Sequence, residues 1–191
     1  MLGRGVDLAR RFARSLLGDY AAYYVYASPA NSDARRTFGG QSGMQVQAID
    51  QGVRFPTSET LVQDQAQYFG PGSYAYACLL DGRIAGVCIY WYGERYLKRN
   101  FWPLEAHEAK LVQIISSPEM RGRGVATALI AGSCADLLGK GFQRAYARVW
   151  HSNLPSRRAF ERAGWTRKAL VVEINPLRRQ RPYRLRFDIA A

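Results

Sequence analysis

The stretch Ser116-Ser117-Pro118-Glu119-Met120-Arg121-Gly122-Arg123-Gly124-Val125-Ala126-Thr127 constrains this chain more than any other. Residues 109–116 (AKLVQIIS) read as a strand, and Pro118 turns the chain. Residues 122–138 read as a helix, with Ala126, Leu129, Ile130, Cys134, Leu137 and Leu138 on one stripe. A strand that feeds a helix through a short glycine-containing loop aims free backbone N–H groups and the positive helix end at one spot. Such a spot suits a diphosphate. Gly122 and Gly124 remove side chains that would block its approach. No Gly-Lys-Ser/Thr follows, so this is not a Walker loop, and the three-glycine dinucleotide spacing is absent. Taken alone, the loop also reads as a tight strand-to-helix turn.

The rest of the chain alternates strands and helices. Residues 5–17 read as a helix, 20–27 as an aromatic strand, 29–43 as a loop and 44–49 as a short strand. A helix over residues 57–69 ends at Gly70-Pro71-Gly72. Two β-rich runs around Asp81-Gly82 form a hairpin that sets Cys78 opposite Ala85, and a polar and aromatic connector covers 94–107. In the second half, 145–150 is a strand, 155–163 a short helix, 165–174 a strand and 183–189 an alternating strand with one wet face. The chain shows no internal repeat.

Composition excludes several classes. Of 191 residues 48% are hydrophobic, so a disordered chain does not fit. No run of about 18 apolar residues marks a membrane helix. Three Cys without metal-ligand spacing argue against a disulfide scaffold or a zinc module and for a reducing, cytoplasmic compartment. The opening residues are basic and amphipathic without a continuous apolar stretch, which is unlike a secretory signal. The net charge of +12 is lopsided: residues 1–95 carry nine basic and eight acidic residues, residues 96–191 eighteen and seven. Arginine forks suit phosphates and carboxylates, so anion binding belongs to the second half.

At this point the sequence resembles a family. Arg121-Gly122-Arg123-Gly124-Val125-Ala126 is similar to the Q/R-x-x-G-x-G/A acetyl-CoA signature of the GNAT superfamily of N-acetyltransferases. Asn153-Leu-Pro-Ser-Arg-Arg-Ala-Phe160-Glu-Arg-Ala-Gly164-Trp165 looks like the second motif of that family, an Asn before a short helix that ends in Gly-aromatic. The resemblance covers residues 73–175 well and the first 70 in outline.

The resemblance implies an α/β (α+β) fold in a single domain: a mixed, mostly antiparallel, splayed central sheet flanked by helices. Residues 1–72 would form a variable, acceptor-side part, 73–175 the acetyl-CoA-binding core, and 176–191 a basic linker and last strand. Backbone groups near Ile114, Ile115 and Ser116 would hold the pantetheine arm, and one would polarise the thioester carbonyl. The N–H groups of Arg121, Gly122, Arg123, Gly124, Val125 and Ala126 would hold the diphosphate, with the Thr127 hydroxyl beside them. Asn153 would contact the pantetheine or orient its loop, and Arg157 or Arg158 would meet the adenosine phosphate.

The implied reaction is direct transfer of acetyl from acetyl-CoA to an amine, with no metal. A small metabolite or amino sugar is favoured over a protein amine, and a homodimer is compatible. Two departures from the family stand out: Phe160 replaces a frequent Tyr, and Lys110 an occasional Glu. Glu108, two residues before Lys110, and His151, just after the strand at 145–150, are the candidate bases. Tyr90, Trp91 and Tyr92 either line the acceptor site or fill the sheet. The competing readings are a non-catalytic acyl-CoA-binding or regulatory domain and, on charge alone, a nucleic-acid binder.

Overall fold

A computed structural model describes residues 19–30, 43–49, 60–97, 101–176 and 182–189. Its strands are β1 (Asp19–Ala27), β2 (Met44–Ile49), β3 (Ser73–Leu80), β4 (Arg83–Trp91), β5 (Glu108–Ser116), β6 (Arg144–Trp150), β7 (Thr166–Asn175) and β8 (Tyr183–Asp188). Its helices are α1 (Thr60–Gln63), α2 (Gly93–Leu97), α3 (Val125–Gly139) and α4 (Leu154–Arg162). The strands form one sheet in the order β2-β3-β4-β5-β6-β1-β7-β8. Every neighbouring pair is antiparallel except β5 and β6. The expected α/β fold with a mixed, mostly antiparallel sheet is present.

Each face of the sheet has its own core. On one face α3 and α4 lay Leu129, Leu137 and Phe160 over Tyr76, Cys88, Tyr90 and Leu111. On the other, Tyr96 of α2 and Phe101 cover Tyr23, Val25, Ile89 and Trp91. Tyr90 and Trp91 are therefore core residues, and Tyr92 stacks on Tyr74 at 5.3 Å. The buried stripe of α3 includes Ser133, which the apolar pattern does not reveal. Its hydroxyl donates to the Leu129 carbonyl and meets the Tyr90 hydroxyl at 2.9 Å, so no polar group there is stranded.

Several expectations shift. Residues 5–17 and most of the 29–43 loop lie outside the described residues. The described part of the 57–69 helix is only the single turn α1 followed by a 3-10 turn, Ala66–Tyr68. Trp91 Nε1 donates to Tyr68 O at 2.8 Å, and Arg95 donates to Phe69 O at 2.7 Å, carbonyls that a helix ending at Phe69 leaves unbonded. The connector at 94–107 holds the short helix α2.

The hairpin turns through Asp81 (φ 52°) and Gly82 (φ 74°), as Asp-Gly predicts. However, its register shifts past Cys78, which faces Gly86 rather than Ala85. Ala85 is the bulged residue, and its carbonyl accepts from Ser117 N at 2.9 Å. Gly86 permits a close approach there: a Cβ would stand 2.8 Å from the Ile115 carbonyl and 2.9 Å from Val125 Cγ1. The strand end and the start of α3 are thus clamped against β4. At the other edge, β8 is exposed on both faces rather than one, with Leu185 at 51% and Phe187 at 54%.

Candidate functional site

β5 and β6 run side by side for only four residues, from Glu108 opposite Arg144 to Leu111 opposite Ala147. Beyond that point β6 stays with β1, pairing Arg148 with Val25 and Trp150 with Tyr23. β5 stays with β4, but Ile89 faces Gln113 and Tyr90 faces Leu111, so Val112 is an extra, bulged residue. A bulge bends its strand. It lies where the two strands part, and the sheet opens into a V.

From Val112 onward the β6-facing edge of β5 has no strand partner among the described residues. Free N–H and C=O groups there are available to a ligand. This is the splay expected at Ile114, Ile115 and Ser116.

The V joins two cavities. The first, about 740 Å³, lies on the α3–α4 face and is lined by Ile114, Ile115, Ser116, Arg121, Gly122, Gly124, Val125, Ala126, Thr127 and Arg158, among others. The second, about 1110 Å³, reaches the opposite face at Lys110, Arg148, Trp150, Glu173 and Arg184. Ile114, Asn153 and Ser156 line both, so the two meet where the strands separate.

The first cavity has the chemistry of a diphosphate cradle. After a 3-10 turn at Pro118–Met120, the chain passes Gly122 (φ 78°) and Gly124 (φ 87°), both left-handed. Nothing lies within 4 Å of a Cβ placed on Gly122, so conformation rather than space requires glycine there. The left-handed Gly124 delays α3 to Val125, three residues after the expected Gly122. Ala128 N–H is the first in α3 to be bonded, to Gly124 O at 2.9 Å. The N–H groups of Gly122 through Thr127 have no backbone acceptor among the described residues. Arg121 N–H is spent on Pro118 O at 3.3 Å, so the free run begins one residue later than expected.

Arginines surround this cradle. Arg121, Arg158 and Arg162 line the cavity, and no carboxylate accompanies them among its described lining residues. Arg123 does not line it. Arg157 turns away: its guanidinium donates to His151 O at 2.8 Å and sits 4.8 Å over the Tyr24 ring. Arg162 was missed in the sequence. The signal was its four-residue spacing from Arg158, which puts both on one side of α4. Unbonded N–H groups, three guanidiniums and no acid fit the phosphates of a CoA thioester.

The other site candidates separate. Asn153 stands at the junction and caps α4, its Oδ1 accepting from Ser156 N at 3.2 Å. Phe160 lines the second cavity and is buried between Tyr26 (5.5 Å) and Trp165 (5.1 Å). Neither proposed base lines either of the two cavities. Glu108 sits at the start of β5, about 20 Å of strand from Ile114 at 3.3 Å per residue. It accepts from Tyr146 Oη at 3.1 Å and from Glu105 N at 3.0 Å. His151 is exposed, with Nδ1 3.1 Å from Ala22 O.

The carboxylate that does line the second cavity is Glu173 of β7, which the sequence did not single out. Arg184 binds it at 2.8 Å and the Tyr23 hydroxyl donates to it at 2.9 Å. Burial, then the Glu173 carboxylate, pushes the Tyr23 phenol up to about 12. Among the described residues no group of three or more His, Cys, Asp or Glu is placed to hold a metal.

A family model described as the acetyltransferase (GNAT) family matches residues 44–165. No curated protein matches. Among solved structures, an acetyltransferase from the GNAT family of Colwellia psychrerythraea superposes with a TM-score of 0.57 at 13% identity, over 87% of this chain and 60% of the other. A GCN5-related N-acetyltransferase from Sphaerobacter thermophilus gives 0.55 at 15% identity, over 97% and 58%. One from Kribbella flavida gives 0.56 at 12%, over 89% and 63%. At these identities the likeness is one of fold, and the chain spans less than two thirds of each solved chain.

Proposed function

Since the chain belongs to the acetyltransferase (GNAT) family, we propose that it transfers the acetyl group of acetyl-CoA directly to the amine of a small acceptor. The observation that carries this reading is the junction of two cavities at the parting of β5 and β6: a cationic, N–H-rich one and a larger one that reaches the opposite face. The residue roles follow that division. The N–H groups of Gly122 to Thr127 hold the diphosphate, and Arg121, Arg158 and Arg162 supply charge. The open edge of β5 at Ile114, Ile115 and Ser116 holds the pantetheine arm. One N–H there polarises the thioester carbonyl as negative charge builds on its oxygen.

The acceptor approaches through the second cavity, past Arg148 and Trp150. Its nitrogen lone pair forms the C–N bond as the C–S bond breaks, and the thiolate leaves. The amine proton passes to water in the open cleft. Glu108 and His151 line neither cavity, and Glu173 is engaged by Arg184 and Tyr23. Residues 73–175 form the acetyl-CoA-binding core, and β8 adds Arg184 to the acceptor side. Three free thiols suit the cytoplasm. No helix among the described residues is long and apolar enough to cross a membrane.

One observation favours a second reading, a non-catalytic acyl-CoA-binding domain: Phe160 places an apolar ring where many relatives would place a phenol to protonate the leaving thiolate. Two measurements separate them. Calorimetric titration with acetyl-CoA should give a Kd that Gly124→Glu weakens at least about a hundredfold, since a carboxylate would face the phosphates. Acetyl transfer to a panel of amines, corrected for hydrolysis, should proceed in the unmodified protein. Tight binding without transfer to any amine would select the second reading, and unchanged affinity in Gly124→Glu would remove the cradle assignment.

A further inference from the structure

The sheet ends at β8, and β8 carries none of the usual guards against a further strand. No strand lies beyond it among the described residues. All six of its residues are exposed. Its pairing with β7 runs from Ala169 opposite Asp188 to Ile174 opposite Tyr183 without a bulge, and no proline or lysine interrupts it. Bulges, prolines and lysines are the devices that keep an edge strand from pairing again.

The groups on the outer edge follow from the ladder. Ile189 N–H donates to Lys168 O at 2.9 Å, and Asp188 lies opposite Ala169. The odd-numbered residues of β8 therefore turn their backbone groups to β7, and Arg184, Arg186 and Asp188 turn theirs outward. The side chains of these three lie on the face of the second cavity: Arg184 lines it, and the Arg186 guanidinium sits 4.1 Å from the centre of the Trp102 ring. Leu185 and Phe187 alternate onto the other face, where both are exposed. They stand opposite Val172 and Leu170 of β7, so an apolar band runs to the rim of the sheet.

We propose that this edge is an interface with a second copy of the chain, β8 pairing antiparallel with β8 across a twofold axis. The strand is complementary to itself. Only residues with outward backbone groups can bond across the axis, which leaves few registers. Centred on Arg186, the pair sets Asp188 opposite the partner's Arg184 and Leu185 opposite the partner's Phe187. Centred on Phe187, it sets Asp188 opposite the partner's Arg186 and Leu185 opposite the partner's Ile189. Either register joins carboxylates to arginines and apolar side chains to apolar ones, whereas centring on Leu185 would set arginine against arginine. The backbone groups of Arg184, Arg186 and Asp188 then continue the sheet into the second copy. One pair of short strands buries less than a standard interface, so the dimer forms with rising concentration.

The test reads mass by sedimentation equilibrium and the edge by residue-resolved hydrogen exchange, both on the full chain. The mass should rise from one chain toward two between about 1 and about 300 μM. The N–H groups of Arg184, Arg186 and Asp188 should gain protection over the same range, and those of Leu185 and Phe187 should be protected throughout. Arg186→Pro removes one outward donor and no bond to β7. Asp188→Arg sets like charges across the pair. Each should raise the dimer Kd about tenfold or more. Should Arg186→Pro fail to fold, Asp188→Arg and the exchange pattern of the unmodified chain decide. A chain still monomeric at the highest concentration would overturn the proposal, as would a dimer that Asp188→Arg leaves intact. Protection of the three outward N–H groups that ignores concentration would overturn it too, because the edge would then be covered from within the chain.

Discussion

Arg158 and Arg162 stand one turn apart on α4 and face the same cavity as Gly122 and Gly124. Both are exposed, so each contributes through a charge-assisted contact that salt weakens. Replacing either by Gln should raise the Kd for acetyl-CoA about tenfold at low ionic strength, and less at high salt. Repeating the titration with a CoA that lacks the adenosine 3′-phosphate identifies the arginine that meets that group. Its substitution should then have no further effect. The thioester end depends less on side chains, because the open edge of β5 offers backbone groups. Glu108 and His151, sought as side-chain bases, stand away from the junction, which Ile114 of β5 lines.

At the scale of elements, the site depends on how β4 holds β5 and α3. The Ala85 bulge gives its carbonyl to Ser117, and Gly86 lets the Ile115 backbone and Val125 close in. Gly86→Val should cost about 2 kcal/mol or more through overpacking, seen as a lower urea midpoint, and should weaken acetyl-CoA binding by displacing the strand end and the loop. The loop itself was legible in the sequence, because proline, two glycines and a following apolar stripe are local signals. The order of strands and helices from β3 to β7 was legible for the same reason, except the short α2, which lies in the stretch read as a connector. The acceptor cavity was not. Lys110, Arg148, Glu173 and Arg184 come from four strands, and only register brings them together. Neither the bulge at Val112 nor the one at Ala85 has a local signature. Trp91 and Arg95 reach the Tyr68 and Phe69 carbonyls from a later part of the chain, and no local pattern announces those contacts.

At the scale of the molecule, part of the charge excess of residues 96–191 stands at the two cavities. Arg121, Arg158 and Arg162 serve one, and Lys110, Arg148 and Arg184 the other. The core beneath them is built on neutral acids. Burial pushes the Cys88 thiol up to about 12 and the Cys134 thiol to about 11, from an ordinary 9.0, and also raises Cys78. These groups stay protonated in the fold but ionise once the chain unfolds. Their contribution to stability is therefore complete below pH 9 and is lost as pH rises from there toward the folded values. Thermal denaturation should show a Tm that stays level up to about pH 8 and falls by about pH 10, and a Tm unchanged over that interval would contradict this account of the core. The central claim is acetyl transfer across the parted strands. Its most direct test follows isotopically labelled acetyl-CoA with an amine, by mass spectrometry of the amine and titration of the released thiol. One labelled acetyl group on the amine for each thiol released, absent in Gly124→Glu, is the predicted result. Thiol release at the same rate with and without amine, and no label on any acceptor, would contradict it.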